Sequence, residues 1–546
     1  MVKAEPTDHS GRALPFRESL LAMIGISLVN MLGALDQTVV STALPSIVSE
    51  LKGFEYYAWI VTSYLLASVV TVPIFGRLGD YFGRKPFVIT AIATFTTASV
   101  LCGTAHSMTF LLIARGLQGI GGGMMVGTAF ASIPDLFPDP HSRVRWQVVM
   151  AGAYGIGTAA GPSLGGFLSE HYSWRSAFLI NLPVGLISLL CVILYLPFFR
   201  HTHTEEIRID WGGALLVSVA LGSLQLCVEL LPKYGWNLPT TILLLIFVVS
   251  SICLLWWEKR ATHPIIPLDL FHDKSLVVVF LLSALVGFVM FSLIFYAPLL
   301  LQGGFGLSPQ RAGLLVTPLA GCVAIGSILN SRIVTSLRNP TLILTIGYSL
   351  LALSCLGMAF TTADTSHWLL EGAMLAGGIG MGFIFNNLNV FSQELAGSQR
   401  FGITTALIQS TRMVGGMFGT ALVGMLVTRA YAHRVFSAVT ALSPKLPSWL
   451  LHKVEDPQIL VNRHGEDLFL RQLNHAVANG PALLEAARTV LITSIHLGFF
   501  LTALAALIAV WQVRAISHMR FRRAPALNPA QKLLEPQPRP TTGGAG

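Results

Sequence analysis

The sequence predicts an all-α membrane protein of fourteen transmembrane helices, arranged as two six-helix halves with two helices inserted between them. Three observations carry this expectation. Of the 546 residues, 53% are apolar and only 11% are charged, whereas soluble domains average about 25% charged residues. The apolar residues run in stretches of about 20, the length that crosses a hydrocarbon core ~30 Å thick. Glycine patterns also recur late in the chain at a nearly constant offset. Gly119-Ile120-Gly121 returns as Gly378-Ile379-Gly380, and the pair Gly157/Gly161 returns as Gly415/Gly419, as in the parallel repeats of many membrane proteins.

The runs fall at 20–44, 57–76, 87–105, 110–132, 148–168 and 176–198 in the first half, then 211–231 and 240–257 in the insert. The second half contributes 276–301, 312–333, 341–361, 368–391, 403–428 and 489–513. Each must be helical, because a lipid-exposed backbone has to satisfy its own hydrogen bonds. The expected organisation is a cytoplasmic N-terminus over 1–19, a first half over 20–198 and an insert with its flanking loops over 199–275. A second half over 276–513 follows, including an external loop over 429–488 whose Asp467–Arg488 stretch suits a helix, and a disordered Pro- and Gly-rich tail over 514–546. An even number of spans puts both termini on one side. The segments on that side hold 20 Lys and Arg, among them Arg77, Arg84, Lys85, Arg143, Arg145, Lys259, Arg260, Arg332 and Arg400, against Lys52, Arg175, Lys233 and Arg311 in the short loops opposite. This imbalance predicts cytoplasmic termini. The net charge of +9 reflects that bias rather than a nucleic-acid surface.

The six cysteines all lie in apolar runs without CxxC spacing, which argues against a disulfide framework or a metal site. No GKS or GKT phosphate loop occurs, so direct use of ATP is not expected. Gly155-Ile156-Gly157-Thr158-Ala159-Ala160 matches a dinucleotide pattern, but it sits inside a span with no preceding strand. No Ser-His-Asp set or His/Glu cluster shares one depth, and an enzyme is not expected.

Ionisable residues inside spans are expensive and mark functional sites. Asp36 lies about 12 Å and Arg115 about 8 Å from the same membrane face at 1.5 Å per residue, so the two share a depth and are expected to line one cavity. A carboxylate in a low dielectric is pushed toward the neutral form and a nearby cation opposes this; a group balanced between the two can load and release a proton. The repeat aligns Arg115 with Met374 and Gln118 with Gly377, so Arg115 has a task that the second half does not share. Arg412 lies mid-span in the second half. Phe288, Phe291, Phe295 and Tyr296, with the polar Gln118, Gln302, Asn387 and Arg412, are the candidate substrate contacts, and ordinary helix packing is the alternative for each.

Between the second and third spans stands Gly76-Arg77-Leu78-Gly79-Asp80-Tyr81-Phe82-Gly83-Arg84-Lys85. Asp80 is placed to accept from helix amides and Arg side chains, so Gly76, Asp80, Gly83, Arg84 and Lys85 form a candidate conformational latch. The stretch resembles the cytoplasmic signature of the major facilitator superfamily; its second-half counterpart, Gly326 to Asn330, is degenerate. The fifth span carries Gly157, Gly161, Pro162, Gly165 and Gly166, where small residues permit close helix packing. It is similar to the G-x-x-x-G-P-x-x-G-G element of antiporters in that superfamily, which limits leakage. Leu35-Asp36-Gln37-Thr38 through Pro45, Arg115-Gly116-Leu117-Gln118-Gly119 through Gly121, and Leu301-Gln302 with Gly306-Leu307-Ser308-Pro309 narrow the resemblance to the drug/proton antiporter family with fourteen spans.

That resemblance implies the major facilitator fold and proton-coupled export of lipophilic, cationic or amphipathic molecules by alternating access. Asp36 would take part in proton coupling and Arg115 in proton transfer. The alternative is a dedicated exporter of one endogenous metabolite, such as a siderophore, toxin or fatty acid. No cofactor is expected, since the proton gradient supplies the energy. Expected partners are a small-molecule substrate, protons and the bilayer, with a periplasmic adaptor protein left open and no nucleic acid. A monomer in the bacterial inner membrane is the expected assembly.

Overall fold

The computed structural model describes residues 16–129, 140–198, 210–261, 268–333, 341–362, 364–396, 401–442 and 480–516, with a few isolated positions between them. The chain within them is almost entirely helical. The first half comprises α1 (Phe16–Glu50), α2 (Tyr57–Phe82), α3 (Arg84–Gly103), α4 (Met108–Ala129), α5 (Pro140–His171), the short α6 (Ser176–Leu179) and α7 (Asn181–Tyr195). The insert is α8 (Trp211–Tyr234) and α9 (Leu238–Glu258). The second half comprises α10 (Lys274–Leu299), α11 (Pro309–Ile333), α12 (Thr341–Ala359), α13 (His367–Ala396), α14 (Phe401–Leu442) and α15 (Gly480–Gln512). Among the described residues, twelve helical segments are long and apolar enough to cross a membrane; α5, and α8 with its apolar stretch Trp211–Cys227, complete the helical set.

Several helices outrun the apolar stretches that announced them. α1 continues past residue 44 to Glu50, α5 begins at Pro140 rather than 148, and α14 continues past 428 to Leu442. An apolar run measures the hydrocarbon thickness, whereas a helix also continues into water where packing supports it: Tyr431, Val435 and Val439 are buried beyond the end of the thirteenth run. The loop expected over 429–488 is therefore shortened at both ends, since α15 starts at Gly480. Most of the expected Asp467–Arg488 helix, and the expected disordered tail beyond residue 516, lie outside the described residues.

The sixth run forms one span, Ser176–Tyr195. Pro183 has no N–H to offer the Leu179 carbonyl, which divides it into α6 and α7 at Ile180, itself in helical conformation. α10 ends in a π-helical turn over Leu300–Gly304.

Equivalent helices pair alike in the two halves. α1 packs on α5 as α10 packs on α14, α2 on α4 as α11 on α13, and α3 on α4 as α12 on α13. The halves meet through α5 against α11 and through α2 against α14, while α8 and α9 form a hairpin beside α2 and α14. One face of α9 stays exposed, with Leu245, Val249, Ile252 and Trp256 outward, as a lipid-facing helix requires.

Candidate functional site

Asp36 on α1 is completely buried and Arg115 on α4 is 1% exposed. The Arg115 Nη1 donates to Asp36 Oδ2 at 2.8 Å and to Gln118 Oε1 at 2.6 Å, while its Nε donates to the Ile60 carbonyl at 3.2 Å. Gln118 Nε2 donates to Asp36 Oδ1 at 2.7 Å and to Ser99 Oγ at 2.7 Å. Asn181 Nδ2 adds a third bond to the carboxylate, on Oδ1 at 3.0 Å. The guanidinium also stacks over the Tyr64 ring at 4.7 Å from its centroid. The carboxylate thus accepts three donors, one of them the Arg115 guanidinium. Five helices of one half, α1, α2, α3, α4 and α7, therefore meet in one buried polar network.

This cluster is the packed interior of the first half rather than a cavity wall. Asp36 and Arg115 share a depth as expected, but they pair with each other inside the first half instead of lining the cavity between the halves. Gln118 likewise faces Asp36. Asn181, Ser99 and Tyr64 were not singled out from sequence. Asn181 was detectable as an amide in an apolar run; its direction depends on how α7 packs against α1 and α3.

A small cavity, with a volume of ≈ 20 Å³, lies between the halves. Gln37 and Thr38 of α1, Tyr154 and Thr158 of α5, Met290 and Ile294 of α10, Leu319 and Val323 of α11, and Met381 and Phe385 of α13 form its walls. Of the expected substrate contacts, Arg412 borders it: its guanidinium stacks 4.5 Å from the centroid of Phe385. The others lie elsewhere. Phe291 and Phe295 are buried against each other with rings 6.2 Å apart, and Phe288 packs against α14 at Gly419. Tyr296 donates to the Thr420 carbonyl at 3.0 Å, and Asn387 donates to Asn330 Oδ1 at 2.7 Å, joining α13 to α11. Gln302 donates to the Thr42 carbonyl at 3.0 Å, across the halves.

Further bonds between the halves fall with Gln302 toward the membrane face opposite the termini. Tyr57 donates to the Phe295 carbonyl at 2.8 Å, and the Gln310 amide donates to Glu170 at 3.0 Å. Deeper along α5, Ser163 and Thr317 hydroxyls meet at 2.5 Å and Thr158 donates to the Ala320 carbonyl at 3.2 Å. The α5 glycines make this packing possible. A Cβ on Gly157 would lie 2.7 Å from the Met31 carbonyl, and one on Gly161 or Gly165 would collide with Thr38 or Thr42 of α1. Gly166 meets the Pro309 carbonyl, and Pro162 offers its own carbonyl to Gly313, both on α11. The motif thus seals α5 to its own half and to the other.

At the candidate latch, Gly83 has φ 87°, a conformation glycine alone adopts freely. Gly76 lies beside Gly127 of α4 and Gly79 beside Arg84, Lys85 donates to the Ile193 carbonyl at 2.8 Å, and the Asp80 side chain lies outside the described residues.

Residues 26–420 match the model of the Major Facilitator Superfamily. The chain is similar to the Multidrug resistance protein 3 of Bacillus subtilis, 32% identical over 80% of this chain and 85% of that protein. It is 33% identical to the Multidrug transporter protein MdtP of the same organism over 78% and 79% of the two chains. The Mycobacterium tuberculosis MFS-type transporter EfpA, itself described as uncharacterized, is 31% identical over 78% and 80%. Among solved structures, an inward-facing bacterial homologue of the human lysosomal transporter Spinster superposes with a TM-score of 0.63 over 92% of this chain and 98% of that one, at 17% identity.

Proposed function

The chain belongs to the major facilitator superfamily and is a transporter rather than an enzyme, and from this premise we propose that it exports lipophilic, amphipathic small molecules in exchange for protons. The observation that carries the reading is the buried Asp36–Arg115 pair on the helix that also walls the cavity.

α1 joins the two sites. Successive residues on a helix diverge by ~100°, so Asp36 faces the core of its half while Gln37 and Thr38 face the cavity. Protonating Asp36 removes the charge that compensates Arg115, and an uncompensated buried cation costs several kcal/mol. The protonated state therefore favours another arrangement of α1, α4 and α7, one that gives the guanidinium new partners or water. Moving α1 changes the cavity wall directly and strains the Gln302–Thr42 bond that helps close the far face. Proton binding and rocking of the halves are coupled through one rigid element.

The gradient suffices for this work. One pH unit supplies about 1.4 kcal/mol per proton, and 100 mV adds about 2.3 kcal/mol per charge. With the termini in the cytoplasm of a bacterial inner membrane, substrate enters from the cytoplasm or inner leaflet and leaves as the proton enters. The name "multidrug resistance" borne by relatives supports export, and cavity walls with two hydroxyls, one amide and one phenol among apolar side chains support lipophilic cargo.

Dye efflux from everted vesicles tests the reading, with a substrate panel and a protonophore as control. Wild-type efflux is expected to collapse with the protonophore. Asp36→Asn is expected to retain substrate binding and to lose gradient-driven efflux by 100-fold or more, on the order of the 2.7 kcal/mol that the factor represents. Undiminished efflux by that variant under a pH gradient overturns the assignment of Asp36.

A further inference from the structure

Arg412 is an ionisable side chain within a span that the proposed cycle leaves unused. It projects from the middle of α14 to the edge of the cavity, half-buried, with Phe385 stacked on one face of the guanidinium. Tyr154 of the opposite half lies within electrostatic reach. Both neighbours are cavity-wall residues, so the charge stands where the two halves and the cavity meet.

No described carboxylate neutralises it. Asp36 pairs with Arg115 and Glu50 with Arg175, and among the described residues Arg412 makes neither an ion pair nor a hydrogen bond to protein. No Asp or Glu is among the cavity-wall residues. Stacking on Phe385 uses a face of the guanidinium and leaves the planar fork of N–H donors. That edge matches a carboxylate or phosphate in a two-bond geometry. Nearby polar atoms are also unsatisfied: Oε1 of Gln409, one turn earlier on α14, and Oδ1 of Asn389, one turn beyond Phe385 on α13, have no donor. Apolar Met290, Ile294, Leu319 and Met381 line the rest.

We infer that the cavity takes an amphiphile with one anionic head, a carboxylate or phosphate, held on the Arg412 guanidinium with its lipophilic body along α10, α11 and α13. An unpaired arginine at mid-membrane is costly, and a cationic cargo would raise that cost by placing two like charges in one small space. An anionic head removes it. The charge at the cavity therefore narrows the cargo from lipophiles in general to lipophilic anions. This deepens the exporter reading above and rests on it for the identity of the cavity as the substrate site.

Binding is measured without any gradient, which separates this inference from proton coupling. The full chain is placed in phosphatidylcholine nanodiscs and titrated with dansylaminoundecanoic acid and with its methyl ester, following dansyl fluorescence at neutral pH. The acid is expected to bind at least tenfold more tightly than the ester. Arg412→Gln is expected to bring that ratio to about one, and Arg412→Lys to keep part of it as a point charge without the fork; the lysine variant also guards against misfolding of the glutamine one. Equal binding of acid and ester by the wild type, or a ratio untouched in Arg412→Gln, overturns the inference, even if dye efflux remains proton-driven. Replacing part of the phosphatidylcholine with phosphatidylglycerol distinguishes the source of the head. Competition with the acid identifies a lipid headgroup, and its absence identifies a free amphiphile.

Discussion

The two halves share a packing scheme and differ in what they bury. On α4, a Cβ at Gly121 would lie 2.6 Å from the Phe95 amide and one at Gly123 would lie 2.7 Å from the Ser68 carbonyl. On α13, the matching Gly380 and Gly382 would meet the Gly347 carbonyl and the Ser327 amide, each at 2.6 Å. Backbones thus approach equally closely in both bundles. Yet within the two preceding turns α4 presents Arg115 and Gln118 to a buried aspartate, while α13 presents Met374, 1% exposed, and Gly377. Glycine contacts build the bundle, and a charge inside it is a separate addition that one half has and the other lacks. The second half holds its charge, Arg412, at the cavity edge instead.

The largest expected effect comes from splitting the buried pair. Arg115→Leu leaves Asp36 uncompensated and is expected to cost about 3–5 kcal/mol, read as a loss of folded protein on chemical unfolding in detergent. The double variant Asp36→Asn/Arg115→Leu is expected to recover most of that loss; if it does not, the pair is not an isolated electrostatic unit. Matched overpacking comes next. Gly119→Val and Gly378→Val each force a side chain against backbone, of Tyr64 and Leu319 respectively. Each is expected to cost about 1–3 kcal/mol, with similar shifts in thermal midpoint, and a marked inequality breaks the packing equivalence. Asn181→Ala removes one of three donors to the carboxylate and is expected to cost about 1.5 kcal/mol, at the lower end for a bond to a charged group. Met374→Leu, the volume-conserving change at the second-half counterpart of Arg115, is expected to stay below about 1.5 kcal/mol with efflux intact, and a transport defect there gives Met374 a role beyond packing.

Much of the site was legible because burying charge is costly wherever it happens. Asp36, Arg115 and Gln118 stood out as polar groups in apolar runs, and helix rise put Asp36 and Arg115 at one depth, although the cavity they were expected to line lies elsewhere. The aromatic candidates on α10 were not separable by the same logic: Phe291, Phe295 and Tyr296 are packed inside the second half, and composition alone does not say which face of an all-apolar helix meets a partner. Tyr154 and Phe385 went unnoticed for the same reason, since an aromatic ring is equally at home in a core, in lipid or on a cavity wall. Asn181 faces Asp36 because of how α7 packs on α1 and α3, which the run of apolar residues around it does not reveal.

Length and polarity along the chain determined the helices, their membrane class and the presence of buried charges, because hydrocarbon thickness and the cost of desolvation act on each segment locally. The tertiary structure alone decided which way each charge looks. Asp36 turns inward to three donors and Arg412 outward to an open cavity, since rotation about a helix axis is set by the neighbours packed against it and leaves little trace in an almost uniformly apolar sequence.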